Sequence, residues 1–208
     1  VDIPDGRTEA ELWQIFQAVA DAVEPGDRLI FDITHGFRSL PFLSFLAAAY
    51  LRAVKDVELE AVLYGAFEAR DTSTVPNRTP VFDLTRFVAL LDWLTAADRF
   101  VRFGDAGDLA ALLRSPDAIP VHLAARTDAG ARRMAGLLRL AAGAIESVSE
   151  PLRLVRPAEL MTAATRLDAA LENSKAEIER LAPPFALIAH QVRAAYASFG
   201  LPAPGDPA

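Results

Sequence analysis

The stretch from Leu29 to Leu51 constrains the fold more tightly than any other part of the chain. Leu29-Ile30-Phe31-Asp32-Ile33 is a short apolar run. Thr34-His35-Gly36-Phe37-Arg38-Ser39-Leu40-Pro41 interrupts it, and an Ala- and Leu-rich run then continues from Phe42 to Leu51. This order predicts a buried strand, a turn and a helix. The turn lies at the carboxyl end of a strand and the amino end of a helix. Helix amino ends carry unpaired N–H groups and a partial positive charge that suit anions. Open α/β sheets bind ligands outside the carboxyl ends of their strands. Arg38 adds a fork of donors, and Thr34 and Ser39 add hydroxyls. A cation at the positive end of a helix is unfavourable unless an anion arrives there. The local chemistry therefore points to a phosphate-bearing ligand.

The rest of the chain extends the α/β reading. Thr8 and Glu11 fit a capping box before a helix over about 8–24, stopped by Pro25-Gly26. Val1 to Pro4 reads as the tail of a strand. Pro41 fits the first turn of a helix to about Val54 that is apolar almost all round, which implies burial between a sheet and a second surface such as a partner subunit. Val57–Tyr64 is the next parallel strand, and Gly65 to Ala69 follows it where a ligand would lie. Arg70 to Pro80 is a mobile loop or hairpin tip. Val81–Leu84 is a short strand, and Thr85 caps a helix to Phe103. A short helix spans 108–114. From Leu123 onward the pattern is helical only, with helices over 127–148, 157–180 and 183–199 bounded by Pro151, Pro157 and Pro183-Pro184. Residues 200–205 read as a disordered tail or linker.

Composition bounds the function. The 208 residues are 52% hydrophobic, with a net charge of -7 and no cysteine. A sizeable core is expected, and disulfides and Cys-based metal sites are excluded. The acidic balance argues against direct DNA binding, which needs a broad basic surface. No apolar stretch reaches membrane-spanning length, so a cytoplasmic protein is the default. With three His and no clustered carboxylates, no metal and no cofactor are expected. No strand with a Gly-rich turn precedes residue 28, so the chain is expected to begin inside a domain, as a fragment or truncated gene product.

Asp32-x-Thr34-x-x-x-Arg38 resembles the ligand motif of CRISPR-associated Rossmann-fold (CARF) proteins. "DITHGFRSLP", "LYGAFEA" (Leu63 to Ala69), "VFDLT" (Val81 to Thr85) and "LLDW" (Leu90 to Trp93) resemble one branch of that family, in the same order, over roughly Val1 to Leu113. The resemblance implies a partial Rossmann-like parallel sheet over 1–114, missing its amino-terminal part. An all-α region over 115–208 would then be an effector linker or incomplete effector domain. It implies a homodimer that senses cyclic oligoadenylate from type III CRISPR complexes and relays the signal to an effector ribonuclease. Some members also cleave the ring slowly without metal.

The implied ligand-binding residues are Asp32, Thr34, His35, Gly36, Arg38, Ser39, Gly65 and Glu68, with Arg38 and Thr34 as candidates for ring cleavage. Five of them have a plainer reading beside this one. Arg38 can be a surface arginine on the first turn of a helix. His35 can serve the turn, Thr34 can pair with backbone, Gly36 can serve shape, and Glu68 can pair with Arg38. Phe37 reads as a core or dimer-contact residue, and Asp83, Asp92 and Trp93 read as structural. The Arg-then-His spacing of a HEPN ribonuclease is not met: Arg180 and His190 have nine residues between them, and Arg114 and His122 have seven. Arg28 and His35 have six, but fall on the strand before the turn. Two other classes remain open, a truncated nucleotide-dependent enzyme of doubly wound fold and a helical interaction scaffold without ligand.

Overall fold

The computed structural model describes residues 4–34 and 40–199, with the side chain of Leu40 left out. The expected strand tail at Val1 to Ile3 and the tail from Gly200 lie outside the described residues. The chain divides into two compact units, Val1–Leu91 and Asp92–Ala208.

In the first unit, α1 (Glu9–Asp21) starts where Thr8 accepts a hydrogen bond from the Glu11 backbone N–H at 3.2 Å. β1 (Arg28–Asp32), α2 (Leu40–Lys55) and β2 (Glu58–Gly65) follow. β1 and β2 are parallel, from Arg28 opposite Glu58 to Asp32 opposite Leu63, with an irregularity between Leu29 and Ile30. β3 (Val81–Asp83) pairs antiparallel with β2, so the sheet is mixed, in the order β1-β2-β3. The fold is therefore a partial Rossmann-like α/β unit followed by a helical region. Val23, Leu51 and Val57 form the buried centre of the first unit, with Leu29 and Phe31 packed on it. Lys55 donates to the carbonyls of Ala20 and Val23 at 2.7 and 2.6 Å, placing a cation on the carbonyls at the carboxyl end of α1. α2 buries Ala47, Ala48 and Leu51 but exposes Phe42, Leu46, Tyr50 and Val54, so its outer face is apolar too.

α3 (Thr85–Phe103) begins where the periodicity places it. Its start is held by Asp83, whose Oδ1 accepts from the Thr85 N–H at 2.9 Å and from its hydroxyl, while the Thr85 oxygen accepts from the Val62 N–H at 2.9 Å. The second unit continues with α4 (Gly107–Arg114), α5 (Val121–Ala124), α6 (Ala129–Arg153), α7 (Pro157–Asn173), α8 (Lys175–Leu181) and α9 (Pro183–Tyr196). α6 is central, packed on α4, α5, α7 and α8. Trp93, Phe100, Leu113, Leu138, Ile145 and Phe185 belong to one continuous core. Arg193 on α9 reaches Asp168 at 2.8 Å and Glu172 at 2.5 Å on α7. The Tyr196 hydroxyl donates to the Phe100 carbonyl at 2.9 Å.

Two helix limits differ from those expected. Pro151 lies inside α6, which runs on to Arg153. A proline in the last turn removes one backbone donor and leaves the preceding turns intact. The segment over 157–180 is two helices divided at Ser174, a buried polar residue whose hydroxyl donates to the Leu137 carbonyl at 3.4 Å. Among the described residues no helix is long and apolar enough to cross a membrane.

Arg114 and Glu146 join α4 to α6 in a forked pair, Nη2 to Oε2 at 2.6 Å. The Arg114 hydrogen bond holds the Glu146 carboxyl below its ordinary pKa. Both groups are substantially exposed, so the pair contributes roughly 0.5–1 kcal/mol. That contribution is present above the unfolded carboxylate pKa and is lost as pH falls through the depressed folded value. Glu146→Gln is expected to lower stability at neutral pH in urea melts, and the difference from the parent chain should vanish in acid.

Candidate functional site at the carboxyl ends of the parallel strands

Parallel pairing brings the last residues of β1 and β2 side by side, and the chain leaves both strands at the same edge. The Asp32 carboxylate accepts from the Thr34 N–H at 3.0 Å, which turns the chain directly after β1. The Ile33 N–H bonds the Leu63 carbonyl at 2.9 Å. Thr34 Oγ1 then accepts from the Gly65 N–H at 2.8 Å, clasping the turn after β1 to the end of β2. Gly65 is required for this approach. A Cβ there would stand 2.9 Å from Thr34 Cγ2 and 3.1 Å from its Oγ1. The Thr34 hydroxyl keeps its own hydrogen for donation.

The segment after β2 is a short 3-10 turn, Phe67–Ala69. Glu68 accepts from the Tyr64 hydroxyl at 3.0 Å. Its carboxyl is held below the ordinary carboxylate range, first by its own backbone N–H and then by Tyr64, and Tyr64 is pushed up in turn. Glu68 is thus an ionised acceptor at neutral pH. Arg70 lies over the Phe67 ring, 4.1 Å from its centroid, and donates to the Phe67 carbonyl at 3.2 Å. Asp71 and Arg78 close the following loop through two backbone hydrogen bonds of 2.7 and 3.2 Å, so Arg70 to Pro80 forms a hairpin tip.

Of the residues expected at the site, Asp32, Thr34 and Gly65 come together directly, and Glu68 follows one turn beyond Gly65 on the Tyr64 hydroxyl. His35, Gly36, Phe37, Arg38 and Ser39 lie outside the described residues. Tyr64, Phe67 and Arg70 are neighbours that the sequence reading does not single out. The available signal was a phenylalanine in an otherwise small and polar turn, followed by arginine three residues on. Among the described residues no group of three or more His, Asp or Glu side chains is arranged to hold a metal ion.

The Tyr64–Glu68 contact yields a local prediction. Tyr64→Phe removes one of the causes that lower the Glu68 pKa, so Glu68 should titrate closer to an ordinary glutamate. NMR of the side-chain carboxyl across acid pH would show the rise; an unchanged titration would mean the hydroxyl does not reach it in solution.

The family comparison falls mainly on the helical unit. A family model described as CRISPR-associated protein MJ1674, second domain, matches residues 89–198, which do not include the strand ends. CRISPR-associated protein MJ1674 of Methanocaldococcus jannaschii is 28% identical over 115 residues, covering 54% of this chain and 18% of that relative. The match therefore spans less than a fifth of the relative's length. With a family model that covers more than half of its residues, the chain belongs to the CRISPR-associated protein MJ1674 family, by its second domain.

Proposed function

We propose that the chain is part of a cytoplasmic sensor in type III CRISPR antiviral defence, binding cyclic oligoadenylate at the strand-end turns. The observation that best supports this reading is the Thr34–Gly65 clasp. It fixes two parallel strand ends at one edge, immediately before the His35 to Ser39 segment and helix α2. Open α/β sheets bind ligands at such an edge, and a helix start supplies N–H donors for phosphate. Membership in a CRISPR-associated family supports the biological setting.

In this reading two copies face each other, and a rotationally symmetric ring lies across their two-fold axis. Thr34, Gly36, Arg38 and Ser39 of each copy meet its phosphates, with Asp32 shaping the turn. Gly65 gives room, and His35 and Glu68 lie toward ribose or base. Residues 1–114 form the sensing part, and the helices of 115–208 carry the change to an effector. Where a ring is cleaved, the pocket aligns a ribose 2′-hydroxyl with the adjacent phosphate, and Arg38 stabilises the developing charge.

A thermal-shift comparison tests the reading. Cyclic tri-, tetra- and hexa-adenylate, the matching linear oligonucleotides and NADH are each added to the folded chain. One ring is expected to raise the melting temperature, with linear forms much weaker. A shift with NADH alone would favour a nucleotide-dependent enzyme, and no shift with any ligand would favour a helical scaffold.

A further inference from the structure

α6 buries one side completely, and among the described residues no element covers the opposite side. Ala135, Leu138, Ala142 and Ile145 are fully buried. On the other side Leu140 is 65% exposed, in the middle of a 25-residue helix. Arg133, Gly136, Leu140, Gly143, Ser147 and Glu150 recur along this side at alternating spacings of three and four, the seam of a two-helix coil. Among the described residues the side chains of Arg133 and Glu150 have no partner. A Cβ at Gly136 or Gly143 would meet nothing within 4 Å, so no neighbour among the described residues demands glycine there. Glycine weakens a helix interior, so two of them flanking an exposed leucine need another explanation.

We infer that this face is an interface between two copies of the chain, with α6 lying antiparallel on α6 of the second copy. The seam reads as its own complement in reverse. In an antiparallel pair centred between Leu140 and Gly143, Leu140 of one copy packs into the notch left by the partner's Gly143. Gly136 meets the partner's Ser147. Arg133 meets the partner's Glu150, and the two-fold axis repeats each contact. Basic and acidic ends thus face each other in this register, whereas a parallel pair sets Arg133 against Arg133. From Arg133 to Glu150 the seam rises through 17 residue steps, about 26 Å. Such an interface is small, so association depends on concentration.

This pairing does not rest on the nucleotide-sensing reading, and its test contains no nucleotide. Sedimentation equilibrium of the full 208-residue chain, over roughly a hundredfold concentration range, should show a monomer–dimer equilibrium. Arg133→Glu and Glu150→Arg are each expected to weaken it about tenfold or more, and the double reversal to restore it to within about threefold. Gly143→Leu separates interface from fold. It should raise the melting temperature, because leucine is the better helix former, and yet abolish the dimer by filling the notch. A chain that stays monomeric at every concentration would overturn the inference. So would a dimer unmoved by Gly143→Leu and by both charge reversals.

Discussion

Phe185→Ala is expected to destabilise the helical unit by about 3–5 kcal/mol, the largest effect of any single truncation considered. Phe185 opens α9 and is fully buried, with its ring centroid 5.8 Å from that of Trp93 on α3. Removing the ring deletes that aromatic contact and leaves a cavity between helices that Arg193 and Tyr196 also hold in place. Domains are stable by only about 5–15 kcal/mol, so the variant should approach the edge of folding at physiological temperature. Urea titration followed by circular dichroism would show the midpoint fall. Leu140→Ala is the internal contrast. It truncates a residue of similar hydrophobicity on an exposed face, and monomer stability should change by less than about 0.5 kcal/mol. Equal losses in the two variants would contradict the assignment of buried and open sides.

Gly65→Val is expected to act at the site itself. The first atom added stands 2.9 Å from Thr34 Cγ2 and 3.1 Å from its Oγ1, closer than van der Waals contact allows, and β-branching adds further crowding. Thr34 must swing away, and the Gly65 N–H loses its acceptor. Overpacking and the orphaned donor together cost roughly 2–4 kcal/mol in the first unit. On the sensing proposal, affinity for the cyclic oligoadenylate should also fall at least about tenfold, because the turn that carries Thr34 is displaced. The pairing is checked by a double-mutant cycle. Gly65→Ala with Thr34→Ser, which removes the closest methyl, should be less damaging than the sum of the single changes. Strict additivity would mean that the two residues do not constrain one another.

The parts of the fold that could be read from the chain are those governed by local chemistry. α3 runs from Thr85 to Phe103 as its apolar spacing requires. The β1–turn–α2–β2 order follows from two apolar runs separated by a polar break. Other features depend on distant residues. Nothing local signals that Ser174 is buried against α6 and divides a helical pattern in two. β3 is three residues long with no buried position, so its antiparallel direction is set by pairing with β2 rather than by its own pattern. The Thr34–Gly65 clasp joins residues 31 positions apart, and neither residue in the sequence points to the other as its partner. Phe67 and Arg70 are close in sequence, yet their stacking depends on the 3-10 turn that follows β2. Asp32 and Thr34 were legible as polar chemistry at a strand end, without the clasp to Gly65 that the fold adds, and the fork of donors expected at Arg38 lies outside the described residues.

Calorimetric titration of the chain and of Arg38→Ala with cyclic tri-, tetra- and hexa-adenylate tests the sensing proposal most directly. One ring size is expected to bind, at one ring per two chains. Affinity should fall about a hundredfold or more in Arg38→Ala, because a charge-assisted fork to phosphate is removed from both sides of the ring. Absence of heat with every ring from the folded chain, or equal affinity in the Arg38→Ala variant, would contradict it.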